Sequence, residues 1–335
     1  MTQAGTHAIR AFWNWWTLEG SASIAASIAA NDYAHVPSLL SARTSSIDPE
    51  LEWELGVGVG SKYSLTVTSG GLAALRPLAE RWKRAAPASC ETWQYSASRE
   101  RVPNPAGKVL EFAGHRFTLA DSRWSLRLDE RRSSVDVGVW HPSFAALSSA
   151  DRGTVAFLFL DWMLGEDGVE RWVGEVDFDS APDSSGGYQY TYLLQAVEHL
   201  AATIGGPTWV QLRSRTSIGT PVVATARRPL RWIDRPDFDL HSAVRVAYLD
   251  RDAEGLPGPT AVDWLKQFED ALVGALGPRA MLLATETAEG HRTLYLHSDS
   301  EDTLSTDLIR RFAEANKASV RQEIDANWSR LKRFR

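Results

Sequence analysis

The pattern of apolar and polar positions is clearest in the C-terminal third. Segments 243–249, 280–285, 292–297 and 319–324 read as strands, and 260–276 and 302–315 carry apolar residues at helical spacing. A turn at Ala288-Glu289-Gly290 joins the second and third strands, and Gly277-Pro278 ends the first helix. This order predicts a ferredoxin-like split βαβ unit, an antiparallel four-stranded sheet with both helices on one face. Two more strand-like segments, 208–213 and 221–226, precede it.

Upstream, 12–43 reads as a leading helix, with Ile24 and Ile28 four apart. Segments 51–58 and 63–68 alternate as half-buried strands do. A helix at 72–86 stops at Pro87, and a strand follows at 92–96. Further strands are expected at 109–112, 124–128, 135–140 and 170–178. The apolar run 154–164 fits a strand or a buried helix equally by periodicity. Residues 179–187 have linker composition, and 188–204 reads as a bridging helix. The expected architecture is therefore α+β in two domains. Residues 1–187 form an aromatic-rich α/β sandwich with a leading helix, and 188–335 form the ferredoxin-like domain.

A length of 335 residues exceeds what one core usually serves. The single cysteine, Cys90, excludes an intramolecular disulfide and fits a reducing compartment. The apolar stretch 11–30 is interrupted by Asn14 and Glu19, and no other run reaches the length of a spanning helix. A soluble, cytoplasmic protein without a membrane partner is expected. Net charge is −6; residues 1–200 hold 17 basic against 24 acidic residues, and 201–335 hold 19 against 18. An acidic first half disfavours nucleic acid as the main ligand.

FWNWW at 12–16, IDPELEWELG at 47–56, the LRPLAERW…AAP stretch at 75–87 and LDWMLGED at 160–167 resemble the N-terminal half of an uncharacterised bacterial family. GLP at 255–257, FEDAL at 268–272 and ETAEGHRTLY at 286–295 are similar to the domain of unknown function numbered 695. The expected fold also resembles that of the ribonuclease E inhibitor of the RraB type, which acts by binding an enzyme. The resemblance implies an architecture and a binding role, and no reaction.

Motifs for chemistry are sparse. No HExxH, HxH or helical i, i+4 histidine pair occurs, so neither a metal nor a cofactor is expected. His291 and His297, six apart on one strand, share its face and read as a surface pair. No GxSxG elbow surrounds a serine. Gly56, Gly58 and Gly60 precede a strand where a dinucleotide loop would need a helix. Glu52 and Glu54 flank Trp53 as the polar face of a strand. Asp161, Glu166, Glu175 and Asp177 form the alternative metal group of a metal-assisted hydrolase, although Glu166-Asp167-Gly168 reads as a turn and the spacing matches no EF-hand.

Binding candidates are of two kinds. Trp13, Trp15 and Trp16 lie within four positions. Helical residues turn by about 100° each, so one indole is expected at the surface or against a second surface. Glu269, Asp270, Glu286, Thr287 and Arg292 surround the C-terminal hairpin, where Arg292 would clamp an acidic group or tie hairpin to helix. The basic tail 328–335 reads as a frayed terminus. The reading is a macromolecule-binding or regulatory protein with a protein partner or self-association, and the further alternative is a structural oligomer subunit.

Overall fold

A computed structural model describes residues 3–130, 132–180, 186–203 and 205–335. The chain starts with α1 (Gln3–Trp15), a π-turn at Trp16–Gly20, α2 (Ser21–Ala29) and α3 (Val36–Ser45). Strands β1 (Glu52–Val57) and β2 (Tyr63–Thr68), helix α4 (Arg76–Arg84) and strand β3 (Trp93–Ser96) follow. Next are β4 (Val109–Phe112), β5 (His115–Thr118), β6 (Arg123–Asp129) and β7 (Ser134–Trp140). Helices α5 (Ser149–Leu164) and α6 (Glu166–Trp172), strand β8 (Val173–Asp177) and helix α7 (Thr191–Thr203) complete this part. Then come β9 (Thr208–Arg215), β10 (Pro221–Arg228), β11 (Leu240–Ala247), α8 (Pro259–Leu276), β12 (Ala280–Ala288), β13 (His291–Ser298), α9 (Thr303–Ala315) and β14 (Ser319–Ile324).

The compact units are interleaved in sequence. One comprises Met1–Trp53, Leu72–Ala88 and Pro207–Arg335; the other comprises Glu54–Gly71 and Ser89–Gly206. A single cut at 187/188 therefore does not describe them, because the leading helices and α4 belong with the C-terminal sheet. Residues 181–185 of the expected linker, and Ile204 at the end of the bridging helix, lie outside the described residues.

In the second unit, α5 shows what periodicity left open. Ser148 caps it, accepting from Asp151 N at 3.2 Å while donating to Asp151 Oδ2 at 2.7 Å, and Gly165 at φ +71° ends it. Glu166–Trp172 is helical rather than a turn, which shortens the strand expected at 170–178 to β8. Strand β5 pairs antiparallel with β4, and β3 pairs parallel with β2.

In the first unit, the six-stranded antiparallel sheet has the order β14-β11-β13-β12-β10-β9. Its first four strands have the ferredoxin-like order, and the β9/β10 hairpin extends the sheet beyond β12. Val244, Val246, Leu294 and Leu296 face α8 and α9 with Leu265, Phe268 and Leu272. Asp250 caps α8 from ten residues away, accepting from Thr260 N at 3.0 Å. The opposite face carries its own core, including Ala224, Ala226, Tyr295, Trp328, Leu331 and Phe334. The basic tail is thus packed rather than frayed, since Trp328, Leu331 and Phe334, three residues apart, fall on one side of a 3-10 turn at Ser329–Phe334 and enter the core on this face.

Arginine groove and buried histidine pair

Trp13 and Trp15 of α1 and Trp16 of the π-turn are all buried, so of the two outcomes expected, an indole at the surface or one against a second surface, the exposed one does not occur. Trp16 is 0% exposed, and Trp13 packs on Trp82 of α4 with ring centroids 4.5 Å apart. Trp13 Nε1 donates to the Trp82 carbonyl at 2.7 Å. The π-turn makes room for the third indole. Trp15 lies across Gly20, where a Cβ would come within 2.7 Å of the ring, and Arg43 covers it at 4.7 Å.

The four acids of the hydrolase alternative are held separately. Glu166 accepts from Arg99 N at 3.0 Å and Arg99 Nη1 at 2.7 Å, and also from Thr68 Oγ1. The Ser180 hydroxyl, with Asp179 N and Ser180 N from which Asp177 accepts, holds the Asp177 carboxyl below the usual range against an opposing effect of burial. Glu175 projects into solvent 3.9 Å from Arg127. Asp161 has its own interactions and joins none of the other three in a metal-type cluster among the described residues.

The hairpin candidates divide between the two faces of the sheet, because adjacent strand residues point in opposite directions. On the helix side, Arg292 Nε donates to Thr287 Oγ1 at 2.9 Å and Nη1 lies 3.9 Å from Glu269. Burial pushes the Glu269 carboxyl up; Arg292 acts against that, and neighbouring Asp270, which is exposed, adds to it. Glu286 faces the other way, where Arg333 contacts it at 3.2 Å and donates to Tyr295 Oη at 2.6 Å.

That second face holds a groove of about 680 Å³. Arg213, Arg228, Arg245 and Arg333 line it with Glu286 and Glu289, four cations against two anions. Arg228 donates to the Phe334 carbonyl at 3.1 Å, so the packed tail forms one wall. Among the described residues, Arg213, Arg228 and Arg245 form no ion pair.

At the other end of the same face lie His241 of β11, His297 of β13 and Asp325 just beyond β14. The register sets His241 opposite His297, with ring centroids 4.9 Å apart. His297 is 0% exposed, so it is no surface residue, although it does share a strand face with His291. Tyr295 stacks on His241 at 5.8 Å and Trp328 packs on His297 at 5.1 Å. His297 Nε2 is 3.4 Å from Asp325 Oδ2, an ion-pair distance without hydrogen-bond alignment. Both its ring nitrogens and Nδ1 of His241 are buried without hydrogen-bond partners.

Burial, with neighbouring His297, lowers His241 to about 4 despite the opposing pull of Asp325. Burial likewise lowers His297 against the pull of Asp325. Burial would raise Asp325, but the adjacent His297 imidazole and hydrogen bonds from Ser329 and Arg330 N outweigh it and keep the carboxylate ionised. These three side chains are the group of metal-type ligands that the described residues bring together. They are 56 and 28 residues apart, so motif spacing gave no sign of them.

Residues 219–334 match the model of a family of unknown function, DUF695. The match spans β10 to β14 and the packed tail but not β9, which carries Arg213, so the C-terminal half contains a DUF695 domain that forms part of the groove. No curated protein matches the chain. No helix among the described residues is long and apolar enough to cross a membrane.

Proposed function

We propose that this chain is a non-enzymatic binding protein whose C-terminal sheet, the DUF695 domain extended by β9, takes an acidic segment of a protein partner in the arginine groove. The observation that carries the reading is the set of three arginines, Arg213, Arg228 and Arg245, that face the groove with no carboxylate partner among the described residues. Arginine presents planar paired donors that match a carboxylate, and such charge-assisted bonds are among the stronger ones. The volume of about 680 Å³ is that of a ligand site, enough for a few side chains. Glu286 and Glu289 among the arginines favour a ligand with spaced charges over a continuous phosphate backbone.

The test is fluorescence anisotropy with labelled hexaglutamate, hexalysine and oligothymidine, in EDTA. Saturable hexaglutamate binding that weakens with salt and falls at least about tenfold in Arg245→Glu supports the reading. Oligothymidine binding tighter than hexaglutamate would replace the acidic peptide with nucleic acid. Hexaglutamate binding that is absent, or unchanged in Arg213→Glu/Arg245→Glu, overturns the proposal.

A further inference from the structure

We infer that His241, His297 and Asp325 form a binding site for one zinc ion. The inference goes beyond the proposed function and does not depend on it. Three observations support it together. First, the donor set is right for a borderline divalent ion. Two imidazoles and one carboxylate suit zinc, whereas magnesium and calcium take oxygen shells. Second, the geometry is close. One ligand atom from each residue lies within 4.8 Å of the others, and His297 Nε2 and Asp325 Oδ2 are 3.4 Å apart. In a tetrahedral site with bonds of about 2.0–2.1 Å, ligand atoms are separated by about 3.4 Å.

Third, the charges and hydrogen bonds are incomplete without a cation. Three imidazole nitrogens are buried with no hydrogen-bond partner. Asp325 is buried, and its bonds come from neutral donors: Ser329 N at 2.7 Å, Ser329 Oγ at 2.6 Å and Arg330 N at 3.0 Å. The Arg330 side chain is directed to Glu323 instead. The neighbouring buried cation, Arg81, is held by Asp239 and Asp299. Buried polar groups are seldom left in this state. A dipositive ion would take one nitrogen of each neutral imidazole and give the buried carboxylate a counter-charge.

The surroundings also suit a ligand site. The three bonds to Asp325 fix its orientation, as outer partners of metal ligands do. Tyr295 and Trp328 wall the imidazoles with aromatic rings. Three protein ligands leave one coordination position of a tetrahedral ion.

The experiment uses the full chain, produced with zinc in the medium and purified without chelator. Elemental mass spectrometry is expected to find about one zinc per chain, falling below about a tenth in His241→Ala. Cobalt loaded in place of zinc is expected to give the visible absorption of a tetrahedral site, absent from the variant. Circular dichroism establishes that the variant is folded; should it not be, His241→Gln serves in its place. The chain has eight histidines, so zinc held elsewhere is a real outcome. Zinc below about a tenth per chain in the native protein, or undiminished in the folded variant, overturns the inference.

Discussion

Arg81 of α4 reaches Asp239, at the start of β11, with a nitrogen–oxygen distance of 2.8 Å across 158 residues of sequence. The same guanidinium contacts Asp299 at 2.5 Å, and both carboxylates are buried. This contact is one reason α4 belongs with the C-terminal sheet despite lying far upstream.

Arg81→Met leaves two carboxylates buried without their main cation. Breaking a buried pair in this way costs about 3–5 kcal/mol, whatever the net worth of the intact pair. Urea unfolding of the variant is expected to show a loss of that size, and Arg81→Lys is expected to recover only part of it, because a point charge does not reach both acids. Burial pushes Asp299 up, but Arg81, Glu301 N and Arg84 outweigh it and leave its pKa lowered. A lowered carboxylate stabilises above its unfolded value and loses that contribution as pH falls through the folded one. Native stability is therefore expected to drop below about pH 4 more steeply than that of Arg81→Met.

Gly20→Ala tests the fit of the indole in the π-turn. Alanine favours helical backbone over glycine by about 1 kcal/mol, and Gly20 sits at φ −60°. The new Cβ would lie 2.7 Å from Trp15, and overpacking against a rigid ring costs about 1–3 kcal/mol. The clash is expected to win, with net destabilisation and a red shift of tryptophan emission as Trp15 moves outward. A more stable variant would show that the ring yields freely.

The histidine pair predicts a pH dependence in chelator. His241 has a folded value near 4 against an unfolded 6.5. The unfolded chain binds the extra proton between those values, so stability is expected to fall as pH drops from about 6.5 to about 4, by up to roughly 3 kcal/mol. His241→Phe should flatten this part of the profile. An unchanged slope would mean that another group carries the titration.

Leu331→Ala examines the tail. Leu331 is 0% exposed in the second core of the sheet. Truncating a buried leucine costs about 2–5 kcal/mol, so thermal unfolding is expected to shift well downward. A frayed tail would leave it unchanged.

The order of elements from β11 to β14 was legible because each strand and helix carries its own signal: local periodicity, Gly277 at the end of α8, and the turn at 288–290. At α5 periodicity left strand and helix open, and the structure shows a helix with Ser148 accepting from Asp151 N at its start. Burial of Trp13, Trp15 and Trp16 was not legible, since angular spacing on one helix does not reveal the partners Trp82, Gly20 and Arg43 that surround it. The same limit applies to function. Local sequence determined the strands on which His241, His297, Arg213 and Arg245 sit, and the face each takes by alternation. Tertiary structure alone decided the register that sets His241 opposite His297, that Asp325 closes on His297, and that the tail walls the groove. Those contacts depend on register and packing between residues far apart in the chain, which no local pattern encodes.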